Sequence, residues 1–219
     1  MAELVLDEAA KSGAITTPVI VRPGQIVGPL PEVDVGKGSG WNWSAKEVVP
    51  SLILSSSSIR VLPDSLREKD KLRWIPVNVC ARIIAELAGH ENTASRGGDV
   101  HADVYNITNI PLDQPEITWS QDMLPVIKRR LQNATQAGRA VDIVPLTEWV
   151  QRMEKHGATA DNPAIRLPDF YEELAVSDPH AGLGADIETT KSRAASPSFR
   201  AMGPVKSEWM LHWMRGWGL

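Results

Sequence analysis

The sequence predicts a mixed α/β fold that is mostly helical, with a few short strands. A run of β-branched residues, Val19-Ile20-Val21, breaks into a Pro- and Gly-rich turn from Pro23 onward, as a buried strand does at its end. Longer segments instead repeat apolar residues every three or four positions, which is the helical period. Helices that alternate with short strands are typical of α/β proteins.

The helices are predicted, in order, from this periodicity and from capping residues. Polar N-caps open four of them, at Ser44, at Thr118 or Ser120, at Thr147 and at Ser207. Proline limits two others: Pro50 lies so far inside its helix that this helix is kinked or starts later, and Pro168 interrupts another. With their caps, the predicted helices cover residues 2–12, 44–56, 79–87, 118–131, 147–155, 162–174 and 207–215.

The strands are predicted where short extended runs end at proline or turn residues. Residues 103–108 alternate in polarity and end at Asn109-Ile110-Pro111. Shorter pieces are predicted at residues 60–64, 72–77 and 141–145. The strand at residues 18–22 needs a pairing partner, and nothing earlier in the chain supplies one.

Three segments follow from these elements. Residues 1–175 are predicted to form one lobe, residues 176–200 a loop or linker poor in bulky apolar residues, and residues 201–219 a terminal helix that packs on the lobe. Tryptophans spaced by four place three indoles on one face of that helix. They are Trp209, Trp213 and Trp217.

Charge and cysteine content narrow the function classes. The 219 residues include 27 acidic and 23 basic ones, a net charge of −4, so the chain lacks the basic surface that nucleic acids require. Cys80 is the single cysteine, which excludes an internal disulfide and a cysteine-built zinc site. No apolar run reaches membrane-spanning length, and Met1-Ala2-Glu3 does not open a signal peptide. We therefore expect a cytoplasmic protein with no nucleic-acid or membrane partner.

Several strings, in order and at consistent spacings, resemble one family. They are Val19–Pro29 (VIVRPGQIVGP), Gly40-Trp41-Asn42, Val49–Ile53 (VPSLI), Leu62–Leu66 (LPDSL), Trp74–Val77 (WIPV) and the ending from Gly203 to Leu219. Together they resemble the carboxyl-terminal, substrate-binding part of the terminal thioester reductase domain in fungal nonribosomal-peptide-synthetase-like carboxylic acid reductases and polyketide synthases. Such domains are similar to extended short-chain dehydrogenases.

The resemblance implies what an intact domain of this kind does. A Rossmann half holds NADPH, and the carboxyl-terminal half shapes a pocket for an acyl chain delivered on a phosphopantetheine arm. Hydride transfer reduces the thioester to an aldehyde or an alcohol. By this resemblance, the chain is a truncated carboxyl-terminal lobe from secondary-metabolite biosynthesis, with the Rossmann half absent.

The chain departs from the family pattern where cofactor and catalytic residues belong. No G-x-G-x-x-G follows a strand, since Gly36-Lys37-Gly38-Ser39-Gly40 has another spacing. Neither Tyr105 nor Tyr171 has a lysine four residues on, and the family's Tyr-x-x-x-Lys would end just before Met1. Without that proton donor and that lysine, we expect no cofactor on this chain and no NADPH-dependent reduction by it alone.

The candidate substrate-binding residues come from the resemblance and from the strand end. In intact relatives, Gln25 and Ile26 would line the nicotinamide side of the pocket; a turn that merely closes the strand is the alternative. The glycine-flanked Trp-Asn-Trp loop is either a lid over the substrate or an anchor packed on the core. The full predicted set is Gln25, Ile26, Val27, Trp41, Asn42, Trp43 and Trp74.

An acid–base pair is a separate candidate. His101 and Asp103 lie two residues apart, which puts both side chains on one face of an extended segment, and a carboxylate can orient a histidine base. Two surface residues without catalytic work are the alternative, because no G-x-S-x-G elbow accompanies the pair. Three metal ligands at a convincing spacing are lacking, so no metal site is expected.

Three functions remain open at this point. The chain can be a lobe that binds an acyl or polyketide-type molecule, free or on a carrier protein. It can be a free-standing, cofactor-independent cyclase, isomerase or aldol-type enzyme that uses the inherited pocket. It can also be a non-catalytic lobe that needs a Rossmann-containing partner or a second copy of itself, since an unpaired strand invites association.

Overall fold

Helices and short strands alternate through the residues that the structure, a computed structural model, describes: 1–15, 18–30, 42–90, 101–134, 140–181 and 187–219. The helices are α1 (Ala2–Lys11), α2 (Val48–Ile59), α3 (Val77–Ala88), α4 (Leu124–Asn133), α5 (Leu146–His156), α6 (Pro168–Val176), α7 (Thr190–Ala195), α8 (Pro197–Ala201) and α9 (Ser207–Gly216). The strands are β1 (Val19–Pro23), β2 (Ile26–Val27), β3 (Val61–Pro63), β4 (Ile75–Pro76), β5 (Asp103–Ile107) and β6 (Asp142–Val144). The predicted mixed α/β fold, mostly helical with a few short strands, is confirmed.

The strands pair in parallel, two at a time. β1 pairs with β5, β2 with β4, and β3 with β6. Because parallel neighbours need a long crossover between them, each strand finds its partner far along the chain. The strand near the start of the sequence is thus paired with residues 103–107.

The chain divides into two compact units. Unit 1 comprises Met1–Val27, Trp74–Ile110 and Ile187–Gly203, and unit 2 comprises Gly28–Arg73, Pro111–Asp186 and Pro204–Leu219. The predicted segments 1–175, 176–200 and 201–219 remain a prediction about domains. Within them, the linker over residues 176–200 needs correction, because α7 and α8 make its last part helical.

Unit 1 is built around one face of α3 and the buried side of β5. In β5, Asp103, Tyr105 and Ile107 point inward and alternate with less buried residues, as a strand with one covered face requires. The apolar cluster beneath it is Ile75, Cys80, Ile83, Leu87, Tyr105, Ile107, Ala195 and Phe199. This core supports the carboxyl ends of β1 and β5.

Unit 2 has an aromatic core in which the indole N–H groups of Trp119 and Trp149 are hydrogen-bonded. Trp119 and Trp149 are 0% exposed; their indole N–H groups donate to Pro63 O at 3.0 Å and to Ser56 Oγ at 2.8 Å. Buried indoles need such partners. The ring of Tyr171 lies 5.1 Å from that of Trp149, edge to face.

Local chemistry explains where the helix limits differ from the prediction. Helix α2 begins at Val48 rather than near Ser44, because proline is tolerated in the first helical turn and Pro50 then lies there. Thr118 acts as the predicted N-cap, since its side chain accepts from Gln121 N at 3.2 Å at the start of the π-helical segment Trp119–Met123, which leads into α4. None of the described helices is long and apolar enough to cross a membrane.

Candidate functional site

The carboxyl ends of β1 and β5 lie side by side in unit 1. Gly24, which follows β1, donates its main-chain N–H to Ile107 O, at the end of β5, at 2.7 Å. A Cβ at Gly24 would lie 3.1 Å from Thr108 Oγ1, so glycine lets the two strand ends approach closely. Ligands of open parallel sheets bind at this edge, which makes it the candidate site.

Two predicted side chains stand at this carboxyl edge in contact with solvent. Gln25 is exposed and Ile26 is 39% exposed, whereas Val27 is buried. The main chain beneath them is fixed, because Ile75 N donates to Gln25 O at 2.9 Å where β2 meets β4. The edge therefore presents one amide and one aliphatic side chain from a main chain that is held by hydrogen bonds.

Trp74 contributes to this site through its main chain. Its side chain is 2% exposed, and its carbonyl oxygen accepts a hydrogen bond from Asn109 Nδ2 at 3.1 Å. The second amide hydrogen bond of Asn109 goes to Gly203 O at 3.3 Å. Asn109 is 1% exposed and was missed from the sequence, where it marked only the end of a strand.

The predicted residue Trp43 is part of the packing of unit 2. It is 2% exposed, and its indole N–H donates to Glu47 Oε2 at 2.7 Å. Its ring centroid lies 5.0 Å from that of Trp213 and 6.2 Å from that of Trp217. This geometry favours the anchor over the lid among the two roles considered for Trp43.

Asn42 also serves the terminal helix. Its Nδ2 donates to Trp213 O at 3.2 Å, and a Cβ at Gly216 would overlap its amide. Trp217 Nε1 in turn donates to Trp43 O at 2.8 Å. The third member of the predicted loop, Trp41, lies outside the described residues, as do the glycines of residues 36–40.

His101 and Asp103 have different charged partners. His101 Nδ1 lies 3.2 Å from Asp7 Oδ1, whereas Asp103 Oδ1 accepts from Lys191 Nζ at 2.7 Å. Hydrogen bonds from Lys11, from the main chain and from His101 lower the pKa of Asp7 to about 2. The carboxylate that orients His101 is therefore Asp7, and Asp103 forms an ion pair with Lys191.

Both tyrosines of the chain are buried. Tyr105 is 2% exposed and Tyr171 is 0% exposed, and burial raises the pKa of each phenol. The Tyr171 hydroxyl donates to Val48 O at 2.7 Å. A proton donor for hydride transfer must reach the substrate oxygen, so these two residues do not fit a nicotinamide-dependent site.

A groove of about 880 Å³ in unit 2 is lined by Ser58 and Asp161, among other residues, and sequence analysis did not single out either residue. Ser58 Oγ lies 3.1 Å from His156 Nε2 and donates to Asp161 Oδ2. Asp161 Oδ1 is 3.7 Å from the same histidine nitrogen.

This cluster is not a hydrolytic triad. In a triad the carboxylate binds the other ring nitrogen, which leaves Nε2 free to accept the serine proton. Here that proton faces Asp161, whose pKa is lowered to about 2 by hydrogen bonds from Ser58 and Thr159. So weak a base does not activate a hydroxyl. Across the described ranges, no three His, Cys, Asp or Glu side chains gather to hold a metal ion.

No protein-family model matches the chain, but individual proteins are similar to it in sequence. The chain is 29% identical to a carboxylic acid reductase of Neurospora crassa, over 99% of this chain and 19% of that protein. It is 32% identical to the non-reducing polyketide synthase pigA of Monascus ruber, over 98% of this chain and 7% of that protein. A non-reducing polyketide synthase of Aspergillus terreus is 33% identical over 98% of this chain and 7% of its own length.

Among solved structures, the terminal R domain of the myxalamid PKS-NRPS pathway is similar with a TM-score of 0.48 and 14% identity, over 90% of this chain and 42% of that one. The chain thus spans less than a fifth of the relatives it matches by sequence. The resemblance found from the motifs is confirmed. The chain is related, over nearly its whole length, to a segment of fungal carboxylic acid reductases and non-reducing polyketide synthases.

Proposed function

We propose that this chain forms the substrate-holding part of a thioester reductase-type protein and binds an acyl or polyketide-type chain at the carboxyl edge of unit 1. The relatives support this substrate class by name, as a carboxylic acid reductase and polyketide synthases. The observation that carries the proposal is the exposure of Gln25 and Ile26 at the paired ends of β1 and β5.

The chemistry of these two side chains suits an acyl group. A glutamine amide can donate to a carbonyl oxygen and accept from a hydroxyl, while the aliphatic surface of Ile26 can cover part of a hydrocarbon or aromatic chain. The main chain below is held by Ile75 N and Ile107 O. A site on such fixed elements loses little conformational freedom when a ligand binds, because it is already ordered.

We propose that this chain holds its ligand without reducing it. Reduction of a thioester requires a hydride donor, which NADPH supplies in the intact family. Tyr105 and Tyr171 do not fit such a site, because both phenols are buried. Titration of the chain with NADPH is expected to give no micromolar binding.

The ligand claim is tested with octanoyl and benzoyl thioesters of N-acetylcysteamine, titrated into the purified chain by calorimetry. Ile26→Asp is expected to weaken binding about tenfold, since it replaces an apolar contact with a charge. Ile143→Asp is the matched control, because Ile143 is 43% exposed on β6 of unit 2. Equal affinities for the two variants would contradict the location of the site.

A second observation supports a partner for unit 1. Among the described residues, the β1–β5 sheet has two strands, although parallel sheets are normally covered on both faces and extended by neighbours. On α1, Leu4 is 70% exposed and Val5 is 63% exposed. We therefore propose that another α/β unit, a Rossmann-type partner or a second copy of the chain, covers this helix.

A further inference from the structure

Asn109 and Gln25 are joined through a single peptide group in unit 1. The carbonyl oxygen of Trp74 accepts from Asn109 Nδ2 at 3.1 Å, and the N–H of the same peptide, on Ile75, donates to Gln25 O at 2.9 Å. A peptide group is planar and rigid, so its carbonyl and its N–H cannot turn independently. The side chain of Asn109 is therefore linked to the Gln25 main chain through one rigid peptide group.

The amide of Asn109 is itself firmly held. Its other hydrogen bond goes to Gly203 O at 3.3 Å, just after α8. The next residue, Ile110, accepts from Arg193 Nη2 at 2.8 Å, and Arg193 Nη1 donates to Phe199 O at 3.1 Å. The turn that carries Asn109 is thus tied to α8 by its side chain and by its main chain.

The bonding of Asn109 favours a positioning role over simple core filling. Both amide hydrogen bonds end on main-chain carbonyls, while the Oδ1 atom is buried and has no hydrogen-bond partner among the described residues. A buried acceptor without a partner is costly. An apolar residue would avoid that cost, but it would leave the Trp74–Ile75 peptide unheld.

We propose that Asn109 is a positioning residue for ligand binding at the carboxyl edge, and that it acts on Gln25 and Ile26 through the Trp74–Ile75 peptide. The inference rests on the function proposed above. It assigns to the acyl site a residue that does not touch the ligand. Its loss therefore moves the site without removing any contact group.

The structure offers a matched control in unit 2. Asn162 is 0% exposed, and its Nδ2 donates to two main-chain carbonyls, Met153 O at 2.9 Å and Gly157 O at 2.8 Å. Its Oδ1 is likewise buried without a partner in the described part of the chain. Asn162→Ala therefore removes hydrogen bonds of the same kind and number as Asn109→Ala, but in unit 2.

The test compares the two variants by NMR amide exchange and by calorimetry with the octanoyl thioester of N-acetylcysteamine. Both should lose similar stability, but Asn109→Ala alone should lose protection of the Ile75 amide and bind the thioester about tenfold more weakly, as for small displacements in a preorganised site. If Asn109→Ala does not fold, Asn109→Ser replaces it, because the hydroxyl keeps one donor.

The outcomes separate the two claims. A wild-type chain that does not bind the thioester overturns the proposed function. A wild type that binds, with Asn109→Ala unchanged in affinity or in Ile75 protection, overturns only the role of Asn109. Equal loss of affinity in Asn162→Ala also overturns it, because the effect is then one of general stability.

Discussion

Trp43 and Trp213 meet edge to face in unit 2, with ring centroids 5.0 Å apart and planes at 70°. Gly28 makes this contact possible, since a Cβ on Gly28 would lie 2.5 Å from Trp43 Cβ and 2.8 Å from Trp213 Nε1. Trp213 Nε1 also donates to Pro29 O at 2.8 Å. The glycine of the VIVRPGQIVGP string thus serves the packing of unit 2.

Gly28→Ala is expected to lower the free energy of unfolding by about 1–3 kcal/mol, as overpacking does. The atoms nearest to the added methyl group are Trp43 Cβ, Trp43 Cα and the ring nitrogen of Trp213. They cannot move aside as the end of a flexible side chain can. Urea denaturation measures the loss. Gly203→Ala is the control, because nothing lies within 4 Å of its Cβ position; equal losses would contradict the steric explanation.

Arg193→Met is expected to destabilise the protein by about 1–3 kcal/mol, because it leaves buried carbonyl oxygens without donors. Arg193 is 8% exposed and donates to Ile110 O and Phe199 O. Arg152→Met, at an exposed pair with Glu148, should change stability by less than about 0.5 kcal/mol. Thermal unfolding of both variants measures the difference, and equal stability of the two variants would contradict the contribution of the Arg193 hydrogen bonds to Ile110 O and Phe199 O.

Protonation of Asp7 is expected to lower the free energy of unfolding at acidic pH. Hydrogen bonds led by that from Lys11 lower the pKa of Asp7 to about 2, whereas an unfolded aspartate titrates near about 3.9. The unfolded state therefore binds more protons between these values, and the contribution of Asp7 is present above about pH 4 and lost as the pH falls to about 2. Denaturation of Asp7→Asn across this range should show a shallower pH dependence.

For Glu172 the expected change of stability with pH is opposite to that for Asp7. The hydrogen bond with Glu154 and its negative charge raise the pKa of Glu172, so the folded state binds the proton more readily and gains stability on acidification. Glu172→Gln should therefore stabilise the protein near neutral pH. Variants of Asp7 and Glu172 that respond to pH in the same direction would contradict these assignments.

Association through α1 is expected to be concentration-dependent. Leu4 and Val5 are exposed, and apolar surface of this kind marks interaction sites. The double substitution Leu4→Glu with Val5→Glu should shift sedimentation toward the monomer. Val176→Glu is the control, since Val176 is 78% exposed in unit 2. A wild type that sediments as a monomer at all concentrations would contradict a second copy on α1 and leave a Rossmann-type partner as the expected occupant.

Local patterns predicted much of the fold, while contacts distant in sequence escaped them. Sequence periodicity predicted α1 and β5, and residue type predicted the N-cap at Thr118, because neighbouring residues determine these features. For α2 the sequence left open a kinked helix or a later start because of Pro50, and the structure shows the later start, at Val48. The roles of Asn109 and the pairing of His101 with Asp7 depend on residues far along the chain, which no local pattern encodes.

The central claim is that this chain holds an acyl group and does not carry out the reduction. The most direct measurement is a calorimetric titration of the wild-type chain with the octanoyl thioester of N-acetylcysteamine, with NADPH titrated in parallel. We predict saturable binding of the thioester at one site per chain, and no heat or oxidation from NADPH. Micromolar NADPH binding with consumption of the thioester, or no thioester binding at all, would contradict the account.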